Sequence, residues 1–205
     1  MTDNIIEKLS SLFIRFPGIG PRQARRFVYF LLKQDDLSLQ RLGDTIKELK
    51  KNTAQCPNCF RFFVNYSGKK EATCEICLDP DRYKKQVMIV EKDVDLETVR
   101  KADDYDGYFF VLGGLVPILE KNPAEKIRIK QLIDHLKKNK PEELILALSV
   151  NPDGDHTIEY LKNILAPILE EFGTKITILG RGLSTGTELE YSDADTIANA
   201  LKNRK

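Results

Sequence analysis

The cysteines of this 205-residue chain number four: Cys56, Cys59, Cys74 and Cys77. They read Cys-Pro-Asn-Cys, then 14 residues, then Cys-Glu-Ile-Cys. Each Cys-x-x-Cys pair can turn two thiolates toward one point, and two such pairs make a tetrahedral cage of sulfurs. That cage suits zinc, which is tetrahedral, redox-inert and content with all-thiolate ligation. With every position filled by protein, none is left for water, so the spacing predicts a structural site. Disulfides would suit an exported chain, and a redox Cys-x-x-Cys needs only one pair. The doubled spacing favours zinc over both. The insert from Phe60 to Thr73 alternates apolar and polar through Phe60-Arg61-Phe62-Phe63-Val64 and turns at Ser67-Gly68. It predicts a short hairpin pinned at its base by the metal.

The rest of the chain bears on the compartment. No apolar run approaches the roughly 18 residues of a membrane span. The start, Met1-Thr2-Asp3-Asn4, has neither a basic n-region nor an apolar h-region. With zinc-type cysteines, these features predict a soluble protein of a reducing cytoplasm. The net charge of +1 hides an asymmetry. Residues 1–55 carry ten Lys/Arg against six Asp/Glu, and residues 86–205 carry sixteen against twenty-one. A basic head and an acidic body predict different partners for different segments.

The basic head has its own pattern. Ile5, Ile6, Leu9, Leu12, Phe13 and Phe16 recur at helical spacing. Pro17-Gly18-Ile19-Gly20-Pro21 breaks that helix, and Ala24, Phe27, Val28, Phe30, Leu31 and Leu32 mark another. Gly18 and Gly20 allow a tight turn whose backbone N–H groups front the second helix, a place suited to phosphate. Pro21 fits the first helical position. Between Glu7 and Asp35 there is no acidic residue, but there are Lys8, Arg15, Arg22, Arg25, Arg26 and Lys33. Arg22, Arg25 and Arg26 fall in the first turns after the glycines. This is the helix-hairpin-helix pattern, and it resembles modules that grip the DNA backbone without reading sequence. The plainer alternative is an antiparallel helix pair with a solvated basic face. Leu37, Leu39, Leu42, Ile46 and Leu49 predict a third helix within residues 35–55.

After Cys77, Leu78 to Lys85 reads as a linker. Apolar runs then alternate with helical patterns. Val87–Val90, Tyr108–Leu112, Leu144–Leu148 and Lys175–Leu179 read as strands. Leu96–Ala102, Ile127–Lys138 and Thr157–Phe172 read as helices, with Pro167 predicting a kink or early break in the last. Strands alternating with helices imply a parallel α/β sheet. The organisation is therefore a mixed α/β chain. It comprises a helix-hairpin-helix region (1–55), a four-cysteine knuckle and linker (56–85), an α/β domain (86–180) and a Gly-rich loop with a last helix (181–205).

In parallel sheets ligands gather at the carboxyl ends of strands. Glu91 follows the first strand, and Asp153 and Asp155 follow the third. Converging there, they would suit Mg²⁺. The arrangement resembles the Toprim pattern of topoisomerases, primases and nucleases, which leaves a metal-dependent nuclease or primase-like enzyme as the alternative. No nucleophile accompanies these acids, and no Gly-x4-Gly-Lys-Ser/Thr loop exists. Caps or a partner-binding surface are the favoured reading, so the chain reads as a non-enzyme.

Taken in order, these pieces resemble one family over nearly the whole chain, the bacterial recombination mediator RecR. The specific segments are Phe16–Ala24, the four cysteines, Val90-Glu91, Tyr108–Gly114, Ile145–Ala147 and Gly186–Tyr191. The resemblance implies ring-like tetramers that encircle DNA, built by exchange of N- and C-terminal elements, without turnover. It implies partners too: RecO, and in some bacteria RecF, with which the family loads RecA onto single strands coated by SSB. On that reading Arg22, Arg25, Arg26, Gly18, Gly20 and Lys33 face DNA, and Glu91, Asp153 and Asp155 lie near the RecO surface. In one place the chain departs from the family. Asp153-Gly154-Asp155 follows Asn151-Pro152 directly, where the family usually has two more residues and then an acidic-Gly-acidic triplet.

Overall fold

A computed structural model describes residues 4–69, 72–183, 185, 186 and 188–204, which fall into two compact units divided at Thr53/Ala54. The first unit is helical: α1 (Ile5–Phe13), α2 (Pro21–Leu31) and α3 (Asp36–Lys51). Asn4 and Asp35 cap α1 and α3 through their side chains. α1 and α2 pack through Ser10, Ala24 and Val28, the residues this unit buries, and through the edge-on pair Phe13–Phe27 at 5.7 Å. α3 buries no residue, and Leu37, Leu42, Ile46 and Leu49 along it remain exposed.

In the second unit a two-stranded sheet, β1 (Thr53–Gln55) and β2 (Phe62–Val64), is followed by the short helix α4 (Glu75–Leu78). Then come β3 (Tyr83–Val90), α5 (Asp93–Ala102), β4 (Gly107–Val111), α6 (Pro123–Lys126), α7 (Ile129–Asn139), β5 (Glu143–Ala147), α8 (Pro152–Phe172) and β6 (Lys175–Ile178). A single turn of 3₁₀ helix at Leu189–Tyr191 and α9 (Ala194–Lys202) complete it. The main sheet has strand order β4-β3-β5-β6 and is parallel throughout. Val90 pairs with both Val111 and Ala147, so three strands end level and Glu91 emerges at that end.

Side-chain alternation splits the core in two. Val87, Ile89, Phe110, Leu144 and Leu146 face α7 and α8, which contribute Leu132, Leu136, Ile158, Leu161 and Leu165. Met88, Val90, Phe109 and Val111 face the other way, against Leu96 of α5 and against Cys56, Cys59, Cys74 and Ile76. One face of the sheet is thus covered by helices and the other in part by the cysteine knuckle.

Several expectations shift. The segment from Leu78 to Lys85 is not all linker, because β3 already begins at Tyr83. The hairpin is not contained in the 14-residue insert: β2 pairs with β1, which precedes Cys56, so the first Cys-x-x-Cys lies in the connection between the strands. Pro167 does not end α8, which runs on to Phe172 and is capped by Gly173 in a left-handed conformation. Buried Leu161, Leu165 and Leu169 on either side hold the helix together where the proline removes a hydrogen bond. Ser184 and Thr187 of the Gly-rich stretch lie outside the described residues.

Candidate zinc centre and nucleic-acid interface

The cysteines converge. Sγ atoms of Cys56, Cys59, Cys74 and Cys77 all lie within 4.8 Å of one another, with Cys59 and Cys74 3.5 Å apart. Among the described residues this is the one grouping of three or more Cys, His, Asp or Glu with metal-binding geometry. Both knuckles are built by local backbone. Phe60 N–H donates to the Cys56 carbonyl at 2.9 Å, and Cys77 N–H donates to the Cys74 carbonyl at 3.1 Å. Phe60 adopts a left-handed φ of 61°, held by its ring against Phe110 (5.3 Å) and by the Arg128 guanidinium over it (5.6 Å). Four thiols this close compete for protons. Hydrogen bonds with Cys56 push Cys59 and Cys77 up, while one with Cys59 holds Cys56 down. A divalent cation ends that competition by attracting every thiolate, and this all-sulfur donor set fits zinc.

The knuckle is bolted to the sheet. Val111 N–H donates to the Cys59 carbonyl at 2.8 Å, which satisfies part of the free edge of β4. Arg61, almost fully buried, bonds Glu75 at 2.8 Å and Glu97 of α5 at 3.0 Å, and Arg100 joins the same carboxylates. Phe62 N–H donates to Asp93 at 2.6 Å.

The acids at the strand ends do not form a metal cluster, and the Mg²⁺ expectation finds no support. Glu91 is buried, accepts a hydrogen bond from Ser149 Oγ and pairs with Lys92 at 2.6 Å. Asp153 accepts from the Ile118 N–H at 3.2 Å, and Asp155 pairs with Arg181. Asp153 and Asp155 are not in a loop. They occupy the first turn of α8, behind the Asn151 cap and Pro152, where carboxylates complement the helix dipole. Gly154 is forced by packing, since a Cβ there would sit 1.8 Å from the Ser149 carbonyl oxygen.

In the first unit the hairpin takes the expected form. Ile19 N–H donates to Phe16 at 3.1 Å, and Gly18 has a left-handed φ of 76°. Gly20 is the N-cap of α2, Pro21 follows at its start, and no side chain caps the exposed N–H groups. No atom lies within 4 Å of a Cβ built on Gly18 or Gly20, so the approach to this helix end is open. The first turn of α2 holds no acidic residue. Arg25 pairs with Glu7 of α1 at 3.1 Å. Arg22, Arg26 and Lys33 make no ion pair among the described residues.

Comparison with known proteins matches residues 4–50 to the family model "RecR, helix-hairpin-helix", residues 85–180 to "Toprim domain" and residues 182–205 to "RecR, C-terminal". A recombination protein RecR of Prochlorococcus marinus is 35% identical over 199 residues, which cover 97% of this chain and 94% of that relative. The RecR of Herpetosiphon aurantiacus is 34% identical across 100% of this chain and 96% of its own length. The chain belongs to the RecR family. The RecR models meet both ends of the chain, and the Toprim match spans the parallel sheet.

Two side chains of this RecR-family chain escape the sequence patterns. Arg61 lies in an apolar run and reads as the polar member of an alternating strand, yet it is buried. His135 reads as one polar position on an amphipathic helix. Its ring stacks edge-on against Phe110 at 5.5 Å, and its Nε2 is buried without a partner. A basic residue between two phenylalanines beside a Cys-x-x-Cys is the signal that could have found Arg61. No local signal marks His135.

Proposed function

We propose that this chain is a non-catalytic DNA-binding mediator of recombination and repair. The observation that carries the reading is the open, uncapped, acid-free N-terminus of α2, flanked by Arg22 and Arg26, neither of which makes an ion pair among the described residues. Such an end binds phosphate through backbone N–H groups, and the two arginines add charge without base contacts. Lys33 and Arg25 extend the basic surface, with Arg25 the weaker contributor because Glu7 already holds it. Zinc at Cys56, Cys59, Cys74 and Cys77 is structural, joining the knuckle to the sheet. The protein works in a reducing cytoplasm.

Oligomerisation into an encircling tetramer is the second part of the proposal. It is supported by exposed Leu37, Leu42, Ile46 and Leu49 of α3, and by exposed Leu189, Tyr191 and Leu201 near the other end. Bare apolar stripes of this kind fit surfaces that other copies cover. RecO, and RecF where a bacterium has it, are the proposed protein partners in loading RecA. Asp153 and Asp155 suit that contact better than Glu91, whose carboxylate is buried. Light scattering with circular and linear DNA of equal length tests the clamp. A tetramer retained on circles and lost from free ends is expected, and a monomer indifferent to topology would remove the clamp.

A further inference from the structure

A polar groove in the second unit lies along the outside of the cysteine cluster. Two cavities, of about 330 and 230 Å³, share Asn58, His135 and Lys138 in their walls. Lys84, Val87, Tyr108, Asn139 and Cys77 of the cysteine cluster complete the larger one. It lies where the first Cys-x-x-Cys turn meets the C-terminal half of α7, beside the amino ends of β3 and β4. That is the opposite end of the sheet from Glu91.

The charges around this groove are divided unevenly. Lys85 is committed to Glu142, and Lys140 lies over the Phe172 ring at 4.9 Å. Lys84 and Lys138 make no ion pair among the described residues, and both line the groove. The larger cavity is lined by no Asp or Glu. Asp134 lines the smaller one, and burial pushes the Tyr108 phenol up, with the neighbouring Cys77 and then Asp79 adding to it. Asn58 lines both cavities, while the Asn139 amide donates to the His135 carbonyl at 2.9 Å. The Nε2 of His135 is a buried polar atom without a hydrogen-bond partner among the described residues. Buried polar atoms in folded proteins are nearly always satisfied, by protein, by water or by a ligand. Two cations without ion pairs, the Asn58 amide and an aromatic wall suit a nucleotide phosphate.

We infer that this groove holds a phosphate of a single-stranded nucleic acid between Lys84 and Lys138, as a second contact separate from the α2 hairpin. The inference rests on the DNA-binding reading above. The same phosphate chemistry could come from a free nucleotide, and the test separates the two. Affinity for a labelled oligo-dT is measured on the zinc-loaded full chain from about 50 to about 300 mM salt. Each phosphate contact on a single strand contributes roughly 0.7 to the slope of log K against log salt. The Lys84→Gln/Lys138→Gln variant is expected to bind about tenfold more weakly at low salt, with a slope shallower by about 0.7. Lys84→Arg/Lys138→Arg should restore both. Unchanged affinity and slope in the Gln variant, while Arg22→Gln/Arg26→Gln loses binding, would overturn the strand contact in this groove and leave the DNA reading standing. Wild-type protein that binds no DNA would sink both. Competition with dTMP decides the source. Loss of dTMP binding with oligo affinity intact assigns the groove to a free nucleotide, and loss of oligo affinity assigns it to the strand.

Discussion

His135 sits half-buried on α7, with its ring against Phe110. Burial pushes its pKa down to about 4, although the Asn58 backbone favours the charged ring. The sign follows from proton binding. Between about pH 6.5 and about pH 4 the unfolded chain takes a proton at this ring and the folded chain does not, so stability falls as pH falls through that window. His135→Phe should remove this component. Its unfolding free energy should decline less on acidification than that of the natural chain, by a difference on the order of 3 kcal/mol across the window. Denaturant unfolding at stepped pH measures it, and parallel pH curves for the two proteins would contradict it. Residues of this kind were the least legible in the sequence. The cysteines could be read because a metal site writes its geometry into local spacing. The burial of His135 and Arg61 is decided by partners far along the chain, such as Phe110 for one and Glu97 for the other.

At the scale of elements, the knuckle and the sheet stand or fall together. Cys56, Cys59 and Cys74 belong to the same buried cluster as Met88, Val90, Phe109 and Val111. The Arg61 ion pairs add attachment, with an asymmetric energetic weight. Glu75 and Glu97 are partly solvated and would tolerate losing Arg61, whereas a buried guanidinium stripped of both would be costly. Cys74→Ser, or chelation of the metal, should therefore unfold the knuckle and take the adjoining sheet face with it, because structural zinc contributes directly to folding free energy. Circular dichroism with zinc analysis checks this. A soluble Cys74→Ser protein with native melting behaviour would contradict it. The main strands and helices were legible from apolar runs and helical periodicity. β1 was not, because three residues carry no pattern and its pairing with β2 crosses a metal-binding turn. The first turn of α8 was misplaced as loop although Asn151-Pro152 is an N-cap followed by a favourable first residue.

For the whole molecule, the division of charge matches the division of structure. The helical unit up to Thr53 carries the basic hairpin, and the unit from Ala54 carries the four-cysteine knuckle, the parallel sheet and most of the acids. The order of these parts was legible because each has a compact local signature. The exposed face of α3 was not, since Leu42 and Ile46 read from sequence as a helix's core face and are exposed. The central claim is that the hairpin grips nucleic-acid phosphates. It is tested most directly by the salt dependence of DNA binding in the natural chain and in Arg22→Gln/Arg26→Gln. A linear fall of log K with log salt is predicted, shallower in the variant by roughly 0.7 to 0.9 for each arginine. Salt-independent binding, or identical slopes in the two proteins, would contradict it.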